Sequence, residues 1–384
     1  MRIFLLRARW VYFLFYGAWA AFIPFLPLYY QSLGYKGGQI GLLTSLVPLI
    51  TLVGAPVWGG LADATHHHRR VLLGAMLGAM AAAGVILGAR SLGWLALGIG
   101  AYAFFNAPIV PLVDHSVLSM LGERRNEYGR IRLWGAVGWG LSGPLAGWLA
   151  GNYGASAPFG LYLLVMGLAW LMTAGLNVSP GVGSGNYWKD ARLLLRERRW
   201  WFFLLVVFFA GVAGSTVNNY LFLYMAELNA QQTLMGLALA AATVSEVPAL
   251  FFSSKLVKRL GARGVVLMAL GAYIVRLLLY SVIQAPWQVL LVQLLHGLTF
   301  ASLWAAGVAY AHELAPRGLG ATAQGVFNAT LMGLGAITGA LTGGFLLERL
   351  GGAGMFRVVA LAVLIGALIF LVADRRQRQN HPIG

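Results

Sequence analysis

The sequence predicts an all-α polytopic membrane protein, with twelve transmembrane helices in two pseudo-symmetric six-helix bundles, and three observations carry that prediction. The 384 residues are 59% hydrophobic and only 10% charged, against about 25% charged residues in a soluble domain. A spanning helix takes about 20 apolar residues, so a chain of this length with short connections holds about twelve. The basic residues, finally, cluster in every second connection between the apolar stretches, which puts them on one side.

Breaks at charged or Pro/Gly-rich points predict helices near 10–30, 38–62, 71–89, 92–118, 130–150 and 158–177, then 200–226, 233–254, 264–283, 286–312, 318–347 and 353–373. The N-terminal stretch imitates a signal peptide, but its apolar run is about 20 residues long and lacks an A-x-A site, so it reads as an uncleaved first helix. Lys and Arg total 27 against 11 Asp and Glu. Such an excess can serve nucleic acid, but its placement argues for topology instead. With an even number of spans and the N-terminus inside, only Lys36, Arg90, Arg349 and Arg357 fall on outer segments, and Arg276 lies mid-span. Basic residues follow cytoplasmic loops, so both termini are expected in the cytoplasm, with the chain in the cell's inner membrane. The lipid bilayer is then a partner and nucleic acid is not.

Residues 178–199 form the one long hydrophilic connection, opening on Ser179-Pro180-Gly181 and closing on the run to Arg199. It divides the chain into an N-terminal six-helix bundle (1–177), a cytoplasmic linker (178–199) and a C-terminal bundle (200–384), expected to act as a monomer. Each half carries a charged loop after its second helix. One runs Gly59-Gly60-Leu61-Ala62-Asp63 to Arg69-Arg70, and the other runs from Lys255 to Arg263. A parallel repeat of this kind belongs to transporters that rock two halves about a midplane site. The fifth and eleventh helices carry matching glycine rows, Gly135, Gly138, Gly143, Gly147 and Gly335, Gly339, Gly343. Small residues four apart let helices approach closely, for static packing or for sliding.

An ionisable group on a spanning helix is expensive and marks a pathway or relay. Asp114 and Arg132 stand symmetrically about position 123, so at 1.5 Å per residue they reach the same depth on antiparallel neighbours and can pair. Arg276 and His296 each lie ten residues from Pro286, about 15 Å deep, which is half of a core of about 30 Å. Glu246 and Arg276 are symmetric about Gly261. All three are expected to converge near the midplane as an ion network, in which His is the side chain suited to change charge near neutral pH. Asn218-Asn219 on the seventh helix either line a cavity or cap a local break. Asn106, Pro108 and Pro111 bend the fourth helix beside a cavity. His115, beside Asp114 on another face, reads as a packing or loop-proximal residue, and His66-His67-His68 as a solvated loop rather than a metal site.

The chain contains no cysteine, which excludes disulfides and Cys-based metal or redox sites. No nucleophile with an orienting partner and no phosphate-cradling G-x-x-x-x-G-K-[ST] run is present. No enzymatic role, metal or cofactor is therefore expected.

The run Tyr128-Gly129-Arg130-Ile131-Arg132-Leu133-Trp134-Gly135 with Gly138-Trp139, and Val275-Arg276 followed by Leu294-Leu295-His296 to Thr299-Phe300, resemble the major facilitator superfamily, in the group of the lactose and 3-phenylpropionate permeases. Pro24-Phe25-Leu26-Pro27 and the Asp63 loop add to the likeness, which covers nearly the whole chain. The resemblance implies the major facilitator fold, with Asp114 and Arg132 holding a small-molecule solute, Trp139 stacking on a sugar ring, and Arg276 and His296 coupling to a proton. It implies gating contacts at Asp63, with Arg69 and Arg70, although His66 to His68 replace the usual Gly and basic residues there. Thr299 stands where the sugar symporters carry a glutamate, so Glu246 becomes the expected proton carrier. The function expected is secondary active, proton-coupled uptake of a sugar, glycoside or aromatic carboxylate by alternating access; efflux of amphipathic compounds is the alternative.

Overall fold

The computed structural model describes residues 2–176, 187–316 and 318–380. Nine helices among these are long and apolar enough to cross a membrane. Two of the nine are too long for one crossing. A straight helix over Gln232–Tyr280, 49 residues, would extend about 74 Å at 1.5 Å per residue, more than twice a hydrocarbon core of about 30 Å. It breaks at Gly261 (φ 71°, ψ 157°), and the helix over Ala336–Asn380 breaks at Gly351 (φ 67°, ψ 175°). Both glycines occupy a conformation that a Cβ would strain. Tyr128–Tyr153 is a further helix of spanning length, made less apolar by Arg130 and Arg132, and completes the twelve.

In chain order the spans are α1 (Phe4–Ser32), α2 (Gly37–Thr65), α3 (His68–Gly88), α4 (Leu92–Leu121), α5 (Tyr128–Tyr153) and α6 (Ala157–Ala174), then α7 (Arg198–Glu227), α8 (232–260), α9 (262–280), α10 (Gln288–Leu314), α11 (320–350) and α12 (352–380). The expected loop at 255–263 is thus helix up to a one-residue break, because Gly261 alone reverses the chain. The chain is already helical from Arg2, and the apolar span α1 begins at Phe4 rather than near 10. Part of the expected linker is also helical, over Tyr187–Leu194, with Leu194 buried. Residues 177–186 lie outside the described residues.

α1 packs on α5 and α6, and α7 on α11 and α12; α5 meets α8, and α2 meets α11. The glycine rows make these approaches possible. A Cβ at Gly41 would lie 2.8 Å from the Ala340 carbonyl, one at Gly147 3.0 Å from Cα of Gly236, and one at Gly236 2.9 Å from Cα of Pro144. All these contacts sit toward the sparsely charged end of the bundle, where the turns at 33–36, 154–156 and 228–231 lie. At the charge-rich end, Gly59 and Gly60 on α2 and Gly129 on α5 have open space around them. These close backbone approaches between the two halves thus gather toward the sparsely charged end.

That geometry makes Gly236→Leu an expected block. The added side chain meets backbone of α5, which cannot yield as a flexible side chain would, so the two halves are forced apart at that end. Transport is expected to fall at least about tenfold. In this cysteine-free chain, a single cysteine at Asn218 should then react faster with an impermeant maleimide added at the sparsely charged end. Unchanged labelling and transport would contradict the packing argument.

Candidate functional site

Within α1, Tyr12, Tyr16 and Trp19 share one face by their spacing of four and three residues. That face meets α5 because Gly138 brings α5 against the Phe13 backbone and Gly135 leaves room for the Tyr16 ring. α4 is interrupted by a turn at Ala107 and Pro108, between Leu92–Asn106 and Ile109–Leu121, and its second segment carries Asp114. Four side chains consequently converge. The Tyr12 hydroxyl donates to Asp114 Oδ1 at 2.5 Å, Arg132 Nη2 donates to the Tyr16 hydroxyl, and Arg132 Nε stands 3.8 Å from Asp114 Oδ1. The guanidinium carbon lies 4.3 Å from the centre of the Tyr16 ring and 5.4 Å from that of Tyr12. Trp19 and Trp139 meet edge to face at 6.3 Å. The Arg132 and Asp114 side chains remain 35% and 27% exposed, so this buried-depth pair still opens on the space between the helices.

A second cluster forms on α9 and α10. Arg276, only 2% exposed, donates Nη1 to Thr299 Oγ1 at 3.0 Å and to His296 Nδ1 at 3.2 Å. Its Nε donates to the Tyr280 hydroxyl at 3.2 Å, and its Nη2 to Gln293 Oε1. Four acceptors around one guanidinium are what a desolvated cation needs. Immediately after His296, Gly297–Ala301 winds as a π-helix, a local distortion frequent at functional sites. It is seated by the Ser245 hydroxyl, which accepts from the Gly297 N–H at 3.1 Å.

Glu246, the next residue of α8, stands between the two clusters. Its Oε2 is 4.0 Å from His296 Nε2, with both side chains partly exposed. An arginine only donates, so His296 Nδ1 accepts and the neutral ring carries its proton on Nε2, facing Glu246. The sequence reading placed Glu246 beside Arg276. Instead His296 intervenes, no ion pair joins Glu246 to Arg276 among the described residues, and the cation acting on Glu246 is Arg132. Helical depth fixed the level of Glu246 but not the face it presents; α8 turns it toward α5.

The structure thus brings together Asp114 and Arg132, sets Trp139 two turns along α5 from Arg132 and against Trp19, and separately groups Glu246, Arg276 and His296. Asn218 is exposed on α7, which runs unbroken over Arg198–Glu227, so no local break is there to cap. Asp63 pairs with His68 at 3.0 Å rather than with Arg69 or Arg70, both exposed. His68 is correspondingly not part of a solvated loop. It opens α3 and is 2% exposed, because the connection is only His66 and His67. Tyr12, Tyr16, Trp19, Tyr280 and Gln293 were not foreseen. The spacing of the α1 aromatics and the fourfold step from Arg276 to Tyr280 were the available signals.

Twelve helices of membrane-spanning length around two clusters of intramembrane charge define a polytopic membrane protein, and its similarity to known transporters makes it a transporter rather than an enzyme. The model of the MFS_1 like family matches residues 5–358, and the chain belongs to that family. Maltose permease of Geobacillus stearothermophilus is 30% identical over 379 residues, covering 96% of this chain and 94% of that protein. Multidrug resistance protein MdtG of Salmonella paratyphi C is 27% identical over 391 residues, covering 94% and 93%. Among solved structures, the nucleoside transporter NupG superposes with a TM-score of 0.86 at 17% identity, over 97% of this chain and 99% of that one.

Proposed function

We propose that this chain is a proton-coupled secondary transporter that takes up a neutral sugar or glycoside by alternating access. The observation that carries this reading is the partly exposed Asp114–Arg132 pair, with Trp139 two turns further along the same helix as Arg132. A carboxylate and a guanidinium side by side accept from and donate to sugar hydroxyls, while an indole offers a face to the ring. An aromatic carboxylate is less well suited, since Asp114 stands 3.8 Å from the arginine that would receive it. The maltose permease relative, matched almost end to end, supports the same solute class.

In this reading Asp114, Arg132, Trp139 and Asn218 bind the solute. Glu246 carries the proton, because taking one up neutralises it, whereas protonating His296 would add a second positive charge beside Arg276. Residues 1–177 and 200–384 rock as two halves about the linker 178–199, and the Asp63 loop with Arg69 and Arg70 gates the charge-rich, cytoplasmic end. The termini are cytoplasmic, the membrane is the cell's inner membrane, and the monomer is the transporting unit. The close approaches of the two halves toward the sparsely charged end fit an inward-facing state in this reading.

The test is uptake into proteoliposomes under an inward proton gradient, with labelled maltose, an aryl glucoside and an aromatic carboxylate offered separately. Concentrative uptake of a glycoside alone supports the reading. Accumulation of the carboxylate alone overturns the solute class, and proton-driven extrusion of amphipathic compounds would favour an efflux role instead, as MdtG's name suggests for that relative.

A further inference from the structure

The separation of Asp114 from Arg132 is larger than their surroundings require. A carboxylate and an arginine left to themselves form a fork with two bonds near 2.8 Å; here the nearest approach is 3.8 Å, from Nε alone. Each charge is instead engaged by a phenol of α1: Tyr12 donates to the carboxylate at 2.5 Å, and Tyr16 accepts from the guanidinium and lies with its ring 4.3 Å beneath it. Tyr128 adds a further hydroxyl at Asp114.

Tyr12 is 1% exposed, and the Tyr16 ring fills the space that Gly135 leaves. Neither phenol can swing away freely. An ion pair closed on itself would have satisfied its hydrogen-bonding capacity and would have to be broken before any hydroxyl could bind. The splayed pair keeps part of that capacity directed into the interior.

We infer that Tyr12 and Tyr16 are positioning residues for solute recognition, whose phenol groups hold Asp114 and Arg132 apart in a binding-competent geometry. The inference rests on the proposed role of that pair. Without the hydroxyls, the carboxylate and guanidinium close on each other and the solute must compete with a formed ion pair. The consequence falls on affinity, not on the rate at which the loaded carrier turns over.

Tyr12→Phe and Tyr16→Phe, each compared with wild type and with Arg132→Ala in proteoliposomes, test this. Each Phe variant is expected to raise the KM for the glycoside about tenfold, the equivalent of one hydrogen bond, with the maximal rate within about twofold of wild type. A purely structural role would instead lower the maximal rate and the melting temperature together, leaving KM in place, and would overturn the inference. Unchanged KM in both Phe variants, beside an Arg132→Ala variant that no longer transports, would also overturn it while leaving the proposed function standing. Should Arg132→Ala transport normally, the function proposed for the pair fails and the inference falls with it. The two Phe variants are read independently, so a misfolded one leaves the other decisive.

Discussion

Glu246→Gln should let the solute equilibrate across the membrane but not concentrate. One charge moved across about 100 mV is worth about 2.3 kcal/mol, enough for roughly 50-fold accumulation of a neutral solute by a one-proton symporter. Glutamine keeps the size and hydrogen-bonding of the side chain but cannot carry a proton, so the accumulation ratio is expected to fall to about 1. Exchange of internal for external solute requires no net proton movement and should persist. Glu246 stands 4.0 Å from His296 on one side and in the field of Arg132 on the other, and among the described residues it is the carboxylate that links the two clusters. Retention of a 50-fold ratio in the variant would remove Glu246 from the coupling step.

Arg132→Ala should abolish specific binding. A hydrogen bond to a charged group contributes about 1.5–3 kcal/mol, and removal of the guanidinium also leaves Asp114 without its counter-charge inside a spanning segment. A loss of at least about 100-fold in affinity follows, read by ligand-dependent thermal stability, in which saturating ligand at about 100 times its dissociation constant adds about 2.7 kcal/mol. Wild type should show that shift with a glycoside and the variant should not. Arg132→Lys restores the charge but not the planar fork, and is expected to recover only part of the affinity. A full shift in Arg132→Ala would place the solute elsewhere.

Much of the architecture was legible because hydropathy and charge act on whole helices. The twelve spans follow from apolar runs, and the depths of Asp114, Arg132, Arg276 and His296 follow from counting residues to a turn, since the rise per residue is constant. Depth alone, however, does not select neighbours. Glu246 was expected in a network with Arg276 and His296; the rotation of α8 sets it beside His296 and in the field of Arg132, with no ion pair to Arg276 among the described residues. The tyrosines of α1 were missed for a related reason. An aromatic residue in a membrane helix is ordinarily packing, and only the approach of α1 and α5 at Gly138 turns Tyr12 and Tyr16 into ligands of a charged pair. His68 shows the reverse error: a run of three histidines reads as a polar loop, yet Asp63 draws the third into the start of a helix.

The central claim is that solute and proton move together through this pair of clusters. The most direct measurement is the pH of a weakly buffered suspension of de-energised proteoliposomes when a glycoside is added outside. The account predicts prompt alkalinisation of the medium as protons enter with the solute, absent in Glu246→Gln. Solute entry with no pH change in wild type would contradict it.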